Sequence, residues 1–559
     1  MGCSIARTGR RDKVRAAMIT ATARPGSFEF DHVIIGGGSA GCVAAGRLSE
    51  DPAVRVLLLE QGDRAEQHPE TLRADGYKDA FINDALMYER FSVPQAGCWR
   101  RPLFMGSGRG MGGSGSINAM VYLRGSAADF RAWDSPLWSW SAVEPDFRAI
   151  ERVLDVHRRD PTEFTEAAIE AAVTAGFHRQ HDLNDGELLG GLGYEWMNYA
   201  GDQRRNAYVG FVQPHLDRPN LVVLTGACVH RLVFDGARRL RAVEFEHEGA
   251  LRTARVRREA LLCAGALESP KLLLLSGVGP RAQVVAHGIP PVFDLPGVGE
   301  NFQDHPNVTL FHLARRDVDC NYPQVYGFHR ANPDSALAPD QADTCFVMYP
   351  ARSSFREAFM RMLPALTVPP ALYHRTRLPR LVRAGVSLAF KPAFVRALVR
   401  RIYGLVVVLG KPKSRGSVRL ASARPGDFPR IDPAYFADPE DMDTMIKGVD
   451  LARRIADGGP LRGFGNRELL PGRWARSRAA KAAFIRGMAM TTYHYAGTCS
   501  MGQGVGSVVD EQLRVRGVTG LRVADASIMP VVPVSALNAP SMLIGYRAAT
   551  LLREAAAAT

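Results

Sequence analysis

The chain of 559 residues is too long for one simple core and predicts two or more large domains. Its 46% hydrophobic and 23% charged residues are typical of a soluble globular protein, and no run of about 20 apolar residues exists that could span a bilayer. Eight scattered cysteines form no C-x-x-C pair, which argues against a zinc site or a redox dithiol and favours reduced thiols in the cytoplasm.

Residues 1–28 are basic and rich in small residues, without a sustained apolar stretch. We interpret them as a disordered basic extension, or as the product of an upstream start with Met18 as the true initiator. Arg10 and Arg11 are adjacent, but the missing apolar stretch argues against a twin-arginine export signal. The start also lacks the Ser or Thr that a myristoylation signal needs at its sixth position.

The first pattern that carries chemistry begins with a short apolar strand at residues 31–35 (DHVII). Gly36, Gly38 and Gly41 then fit G-x-G-x-x-G, and a helix is predicted over residues 42–49. The first glycine permits a tight turn, the second lets backbone N–H groups approach a pyrophosphate, and the third allows close helix packing.

A second strand is predicted over residues 55–59 and ends in Glu60. A carboxylate at this strand end suits hydrogen bonds to a ribose hydroxyl. A glycine-rich turn without a ligand would leave Glu60 unexplained. The order of strand, glycines, helix, strand and acid therefore predicts a dinucleotide site.

Residues 106–118 form a second glycine-dense stretch. Such a loop can lie flat against a planar ring and donate several backbone N–H groups, and a flexible surface loop is an equally good interpretation of this stretch alone.

Longer motifs resolve this ambiguity. Residues 108–125 (GRGMGGSGSINAMVYLRG) resemble the first signature of the glucose-methanol-choline (GMC) oxidoreductase family, choline/alcohol dehydrogenase-like branch. Residues 265–279 (GALESPKLLLLSGVG) resemble its second signature, and residues 295–306 (LPGVGENFQDHP) a further block. The likeness runs from about Phe28 to Arg553.

The resemblance implies an α/β fold with a discontinuous Rossmann-like FAD-binding domain and an α+β substrate domain built on an antiparallel sheet. The expected FAD-binding domain comprises residues 29–150, 215–310 and 500–559. The expected substrate-binding domain comprises residues 151–214 and 311–499.

The resemblance also implies FAD as the cofactor and no metal. Ile117 stands where some family members carry a histidine that bonds covalently to the flavin, so we expect noncovalent FAD. The implied cofactor-binding residues are Gly36, Gly38, Ser39, Ala40, Gly41, Glu60, Gly108, Arg109, Gly112, Gly113, Ser114, Asn118, Ala119, Met120, Val121, Val229, Asp525, Ala526, Asn538, Ala539 and Pro540.

Residues 493–502 (YHYAGTCSMG) resemble the catalytic histidine block of the family, with His494 as the histidine. Asn538 falls where the family places its second active-site residue, either His or Asn. Pro540 suits the first turn of a helix whose N-terminus would favour negative charge on the reduced flavin. Asn538 can also be a helix cap, and the two roles are compatible.

These residues predict oxidation of an alcohol to an aldehyde or ketone. His494 accepts the hydroxyl proton, Asn538 orients the oxygen, and the hydride passes to flavin N5. Oxygen or another acceptor can reoxidise the flavin. The alternative is a hydroxynitrile-type lyase, which keeps FAD without net redox chemistry; an idle flavin-binding protein is a third class.

The net charge of +13 is concentrated in residues 352–419, which hold 15 Lys or Arg and the single acid Glu357. Apolar clusters lie among these cations, in residues 381–389 and 394–399. The favoured interpretation is an ordinary helical pair with solvated arginines. The alternative is peripheral contact with an anionic inner membrane surface, which would suit a lipophilic alcohol. No nucleic-acid-reading module accompanies the charge.

Overall fold

The structure is a computed structural model that describes residues 28–557 of the chain. Apart from Phe28, the predicted basic extension of residues 1–28 lies outside the described residues. Two large sheets and the helices packed around them form the described part. The predicted α/β class, with a Rossmann-like sheet and a second, largely antiparallel sheet, is confirmed.

The first sheet has seven strands, with Phe28–Ile35 near its centre. This strand runs parallel to Val56–Leu59 on one side and to Ala250–Leu262 on the other. Its last six residues are buried, as expected for a parallel strand covered on both faces. In such sheets ligands bind outside the carboxyl ends of the strands, which here means just beyond Ile35 and Leu59. The remaining strands are Leu221–Leu224, Cys228–Phe234, Leu240–His247 and Leu521–Val523.

The second sheet has eight strands and is antiparallel except for the pair His178–Arg179 and Gly191–Tyr194. Its strand order starts from Arg467–Leu470 and passes through Pro306–Leu313 to Ile402–Leu409. The other strands are Val325–His329, Thr344–Pro350 and Met490–Thr491.

Alternate residues of four adjacent strands share one face of the second sheet, which we call the roof. Thr309 lies opposite Val406, and Val406 lies opposite Val347. Val347 in turn lies opposite Tyr326. Because side chains alternate along a strand, these paired residues point to the same side of the sheet.

Helices cover both sheets, and two of them pack closely around the glycine turn. Gly545 of helix Asn538–Ala557 lies so near helix Ser39–Leu48 that a Cβ on it would stand 2.1 Å from the carbonyl oxygen of Ala40. The longer helices are Ser39–Leu48, Tyr77–Ile82, Trp140–Leu154, Glu163–Thr174, Gly265–Leu275, Arg281–Ala286, Phe355–Thr367, Leu378–Ala389, Ala393–Arg400, Pro439–Ala456, Gly459–Phe464, Arg478–Met488 and Asn538–Ala557. Within residues 28–557, no helix is both long and apolar enough to cross a bilayer.

One predicted domain limit falls inside a strand. The expected boundary between residues 310 and 311 cuts Pro306–Leu313, which belongs entirely to the second sheet. The second sheet otherwise draws its strands from the two segments expected to form the substrate domain, and the full set of domain limits stays a prediction.

Candidate active site

The glycine turn follows directly from strand Phe28–Ile35. Gly36 has a φ of +106°, which L side chains rarely adopt, and the helix begins three residues later at Ser39. A Cβ on Gly41 would lie 1.9 Å from the carbonyl oxygen of Gly36. Residue 41 therefore has no room for a side chain, and glycine at this position lets the helix pack closely on the turn at Gly36.

The Glu60 carboxylate joins the two glycine loops. It accepts hydrogen bonds from the backbone N–H groups of Gly37 at 2.8 Å, Gly62 at 2.8 Å and Gly110 at 3.0 Å. Burial raises the pKa of Glu60, and these N–H groups oppose that shift by stabilising the anion. A carboxylate offers about four acceptor positions, so one remains for a ribose hydroxyl.

The second glycine-rich loop folds back against the first. The N–H of Gly112 donates to the carbonyl oxygen of Gly37 at 2.7 Å. A Cβ on Gly113 would stand 2.8 Å from the Cα of Gly38. The two loops thus form a continuous backbone surface with little space for side chains.

Two histidines meet at the other end of the site. The Nδ1 atoms of His494 and His305 are 2.9 Å apart, and the two rings are perpendicular. Burial lowers the pKa of His494 to about 4 and lowers the pKa of His305 well below its ordinary value. Both imidazoles are therefore neutral near pH 7, and one Nδ1 must donate to the other.

Asp304 fixes the backbone of both histidines. Its Oδ1 accepts the N–H of His305 and the N–H of His494, each at 2.9 Å. The hydroxyl of Tyr435 donates to its other oxygen. Burial raises the pKa of Asp304 to about 6, and these hydrogen bonds oppose the shift.

Asn538 begins helix Asn538–Ala557 and is oriented by Ser39. The Ser39 hydroxyl donates to Asn538 Oδ1 at 2.8 Å. The Nδ2 of Asn538 is buried and has no hydrogen-bond partner among the residues that the structure describes. An unsatisfied buried donor is costly, which indicates that this N–H group meets a ligand.

A cavity of about 940 Å³ connects the glycine turn with the histidine pair. Of the predicted site residues, its lining includes Gly36, Gly38, Ser39, Ala40, Glu60, Gly108, Gly113, Ser114, Asn118, Ala119, Val121, Val229, His494, Asp525, Ala526 and Asn538. The predicted residues that do not line it are Gly41, Arg109, Gly112, Met120, Ala539 and Pro540. Their part in cofactor binding stays a prediction.

The far side of the cavity is apolar. The roof contributes Val347, Val406 and Val408, and helix Phe355–Thr367, which we call the mouth helix, borders the opening. The large apolar lining residues that are also solvent-exposed are Phe359, Leu366, Leu469 and Met488, at 41–47% exposure. They mark the route by which the cavity reaches the surface.

Sequence reasoning missed His305, Asp304 and Tyr435 as parts of the site. His305 and Asp304 lie in the quoted block of residues 295–306, so an ionisable pair within that block was the available signal. No local pattern marks Tyr435, which lies 131 residues from its partner. In the described part of the chain, no group of three or more His, Cys, Asp or Glu side chains could hold a metal ion.

Family models and known proteins resemble this chain over most of its length. Models of the GMC oxidoreductase family match residues 30–307 and 412–545. The chain is 33% identical to an alcohol dehydrogenase [acceptor] of Pseudomonas putida, over 94% of this chain and 95% of that protein. It is 33% identical to the mitochondrial choline dehydrogenase of Mus musculus, over 95% of this chain and 91% of that protein.

The structure is similar to the crystal structure of pyridoxine 4-oxidase from Mesorbium loti, with a TM-score of 0.80 and 30% sequence identity. That similarity covers 94% of this chain and 99% of the oxidase. The chain therefore belongs to the GMC oxidoreductase family and is an FAD-dependent oxidoreductase.

Proposed function

We propose that this enzyme oxidises an alcohol to an aldehyde or ketone, with His494 as the general base and Asn538 as the group that orients the alcohol oxygen. The proposal rests on one observation: a neutral buried imidazole and an unpartnered amide N–H line the same cavity as the glycine turn. The names of the relatives from Pseudomonas putida and Mus musculus, an alcohol dehydrogenase and a choline dehydrogenase, support an alcohol substrate.

The histidine contact explains how His494 holds its proton. A base at Nε2 requires the tautomer with hydrogen on Nδ1, and that N–H then donates to His305 Nδ1 at 2.9 Å. Once Nε2 takes the hydroxyl proton, the imidazolium keeps this hydrogen bond. His305 is therefore a positioning residue that selects the tautomer of the base.

Asn538 acts on the alcohol oxygen. Because Ser39 occupies the amide oxygen, the free Nδ2–H can donate to the oxygen as negative charge develops on it. The N-terminus of helix Asn538–Ala557 adds partial positive charge at the same point.

The residues around the glycine turn fit FAD. The bare backbone of Gly38 and Gly113 suits a pyrophosphate or flat ring, because a Cβ on Gly38 would meet nothing nearer than 4.0 Å and this side lines the cavity. Glu60 keeps an acceptor position for a ribose hydroxyl. Bound FAD supplies the hydride acceptor. Ile117 lines the cavity and offers no atom for a covalent flavin bond, so we propose noncovalent FAD. Acid precipitation should leave the yellow colour in the supernatant, and colour in the pellet would contradict this.

The cavity favours a neutral, lipophilic alcohol. Among the described lining residues, the carboxylates are Glu60, Glu268 and Asp525, and none of them belongs to the second sheet. Glu268 is already paired with Arg90 and Lys271. A cationic alcohol would thus find no carboxylate at the roof, whereas an alkyl or aromatic chain would contact valines.

Anaerobic stopped-flow reduction of the flavin tests the proposal. Wild-type enzyme should bleach with long-chain or aromatic primary alcohols, and His494→Ala should lower the reduction rate by about 10²-fold or more while keeping FAD bound. His312→Asn is the matched control, because His312 is also buried but lies outside the lining. Bleaching at a normal rate in the His494 variant would remove His494 from the mechanism. Absence of bleaching by any alcohol, with cleavage of a hydroxynitrile, would favour the lyase.

A further inference from the structure

Residues 355–400 expose an unusual share of large apolar side chains. They account for eight of the eighteen exposed large hydrophobic residues in the described chain, although they are less than a tenth of it. Single exposed apolar residues are normal on any protein, but a concentration of them marks an interaction surface.

The apolar side chains follow helical spacing. In helix Leu378–Ala389, Leu381 and Leu388 lie seven residues apart and are 66% and 64% exposed, while Val386 is buried on another side. In helix Ala393–Arg400, Phe394 and Leu398 lie four residues apart and are 75% and 44% exposed. Each helix therefore turns an apolar stripe outward, where the protein offers it no cover.

The cations of this region fall into two sets. Arg361 and Arg383 point inward and form ion pairs with Asp84 and Glu89, and Arg361 is fully buried. They serve the fold and are not available to a partner.

The outer cations are different. Among the residues that the structure describes, no carboxylate pairs with Arg375, Arg377, Arg380, Lys391 or Arg396, and all five are exposed. The only acid between residues 355 and 400, Glu357, is paired with Arg356. We call these five cations and the exposed Leu378, Leu381, Leu388, Phe394 and Leu398 the docking face.

The docking face adjoins the opening of the cavity. Helix Leu378–Ala389 packs on the mouth helix, where Phe390 contacts Phe355 and Phe359 at ring distances of 6.2 and 6.3 Å. Phe359 and Leu366 of the mouth helix are both exposed and part of the cavity lining. These two apolar side chains therefore link the outer surface next to the docking face with the inside of the cavity.

We propose that the docking face binds the surface of an anionic lipid bilayer and so places the cavity opening against it. Apolar stripes between uncompensated cations match this partner, because acyl chains accept the leucines and anionic headgroups pair with the arginines. If the proposed oxidation of a lipophilic alcohol is correct, the substrate enters from the bilayer past the mouth helix. The docking face uses only part of the basic segment of residues 352–419 that the sequence singles out.

Sedimentation with vesicles tests the docking face without any turnover. The full-length holoenzyme should bind vesicles of phosphatidylglycerol and phosphatidylcholine at low salt, bind pure phosphatidylcholine far less, and dissociate at high salt. Each cation at such a surface contributes about fivefold in affinity, so removing three should weaken binding about 100-fold. The cationic variant combines Arg375→Gln, Arg377→Gln and Arg380→Gln. The apolar variant combines Leu381→Ser, Leu388→Ser and Phe394→Ser.

Matched controls come from exposed residues elsewhere. The apolar control combines Leu251→Ser, Val285→Ser and Val505→Ser, at 52–92% exposure. The cationic control combines Arg152→Gln, Arg255→Gln and Arg281→Gln, all of them exposed. Both control variants should bind the anionic vesicles like wild type. Equal loss in controls and docking variants, or no binding by wild type at low salt, would overturn the proposal.

Two further measurements distinguish lipid binding from self-association and test the docking face separately from the proposed function. If wild type sediments as a dimer in solution and the apolar variant as a monomer, the face belongs to a second copy of the chain and the lipid proposal fails. With a lipophilic alcohol presented in anionic vesicles, the docking variants should lose turnover while reduction by a dispersed short-chain alcohol stays normal. Normal vesicle binding without reduction by any alcohol would reject the proposed function and leave the docking face intact.

Discussion

The two walls of the cavity are built from different parts of the chain. One wall consists of glycine loops, where Gly38 and Gly113 bring backbone against backbone. The other is the roof, where Val347, Val406 and Val408 present side chains from neighbouring strands. A backbone wall depends on shape and tolerates almost no added atom, whereas a side-chain wall can change its chemistry while the backbone stays the same. Substitutions in the first should abolish cofactor binding, and those in the second should shift substrate preference.

The largest effect is expected directly behind the backbone wall, at Gly41, which supports the glycine turn without lining the cavity. Gly41→Ala should yield protein without detectable bound FAD, because its Cβ would stand 1.9 Å from the carbonyl oxygen of Gly36 and push the helix start out of place. The visible flavin absorbance of the purified enzyme, relative to its protein concentration, measures this directly.

Gly459→Ala is the matched control, since a Cβ there has nothing within 4 Å. It should retain FAD in full. If Gly41→Ala also retains stoichiometric FAD and a native fold, the close packing at the turn is not what limits cofactor binding.

The next largest effect is expected at the contact between His305 and His494. His305→Ala should slow flavin reduction about 100-fold, because His494 loses the acceptor that keeps its hydrogen on Nδ1. Burial lowers the pKa of His494 to about 4, so the base itself becomes protonated, and wild-type kcat/KM should fall, as the pH drops through about 4. Water that enters the space left by His305 should move this acid limb upward, toward 6.5.

His305→Asn distinguishes positioning from simple packing. Its amide oxygen can accept the Nδ1–H of His494, so the rate and the acid limb should both return toward wild type. An acid limb that stays near pH 4 in His305→Ala, or an equal rate loss in both variants, would assign His305 a structural role only.

The backbone wall could be predicted from sequence because its parts are local. Gly36, Gly38, Gly41 and Glu60 lie within 25 consecutive residues, and each carries a distinct physical requirement. The predicted second strand, residues 55–59, differs from the observed Val56–Leu59 by one residue. The helix begins at Ser39 instead of residue 42, because the first turn of the helix already includes the glycine motif.

The roof could not be predicted, because its pattern is not local. Strand Ile402–Leu409 is buried on both faces, so Val406 and Val407 show no alternation that would reveal which of them faces the cavity. The contact between His305 and His494 joins residues 189 positions apart. The sequence also could not show which cations of residues 352–419 are paired. Asp84 and Glu89 come close to Arg361 and Arg383 only in the folded chain.

The smallest effect is expected at the roof, where two consecutive residues of strand Ile402–Leu409 can be compared. Val406→Ala should change the ratio of kcat/KM for a bulky and a slender lipophilic alcohol by about tenfold, because one or two methyl groups of wall are worth about that much discrimination. Val407→Ala removes the same atoms from the opposite face, where Val407 packs on Gly448 of helix Pro439–Ala456. It should lower the free energy of unfolding by about 2 kcal/mol and leave the ratio unchanged. Equal shifts in the ratio from both variants would mean that the roof sets selectivity through the stability of its strand, and the contrast between the two walls would then fail.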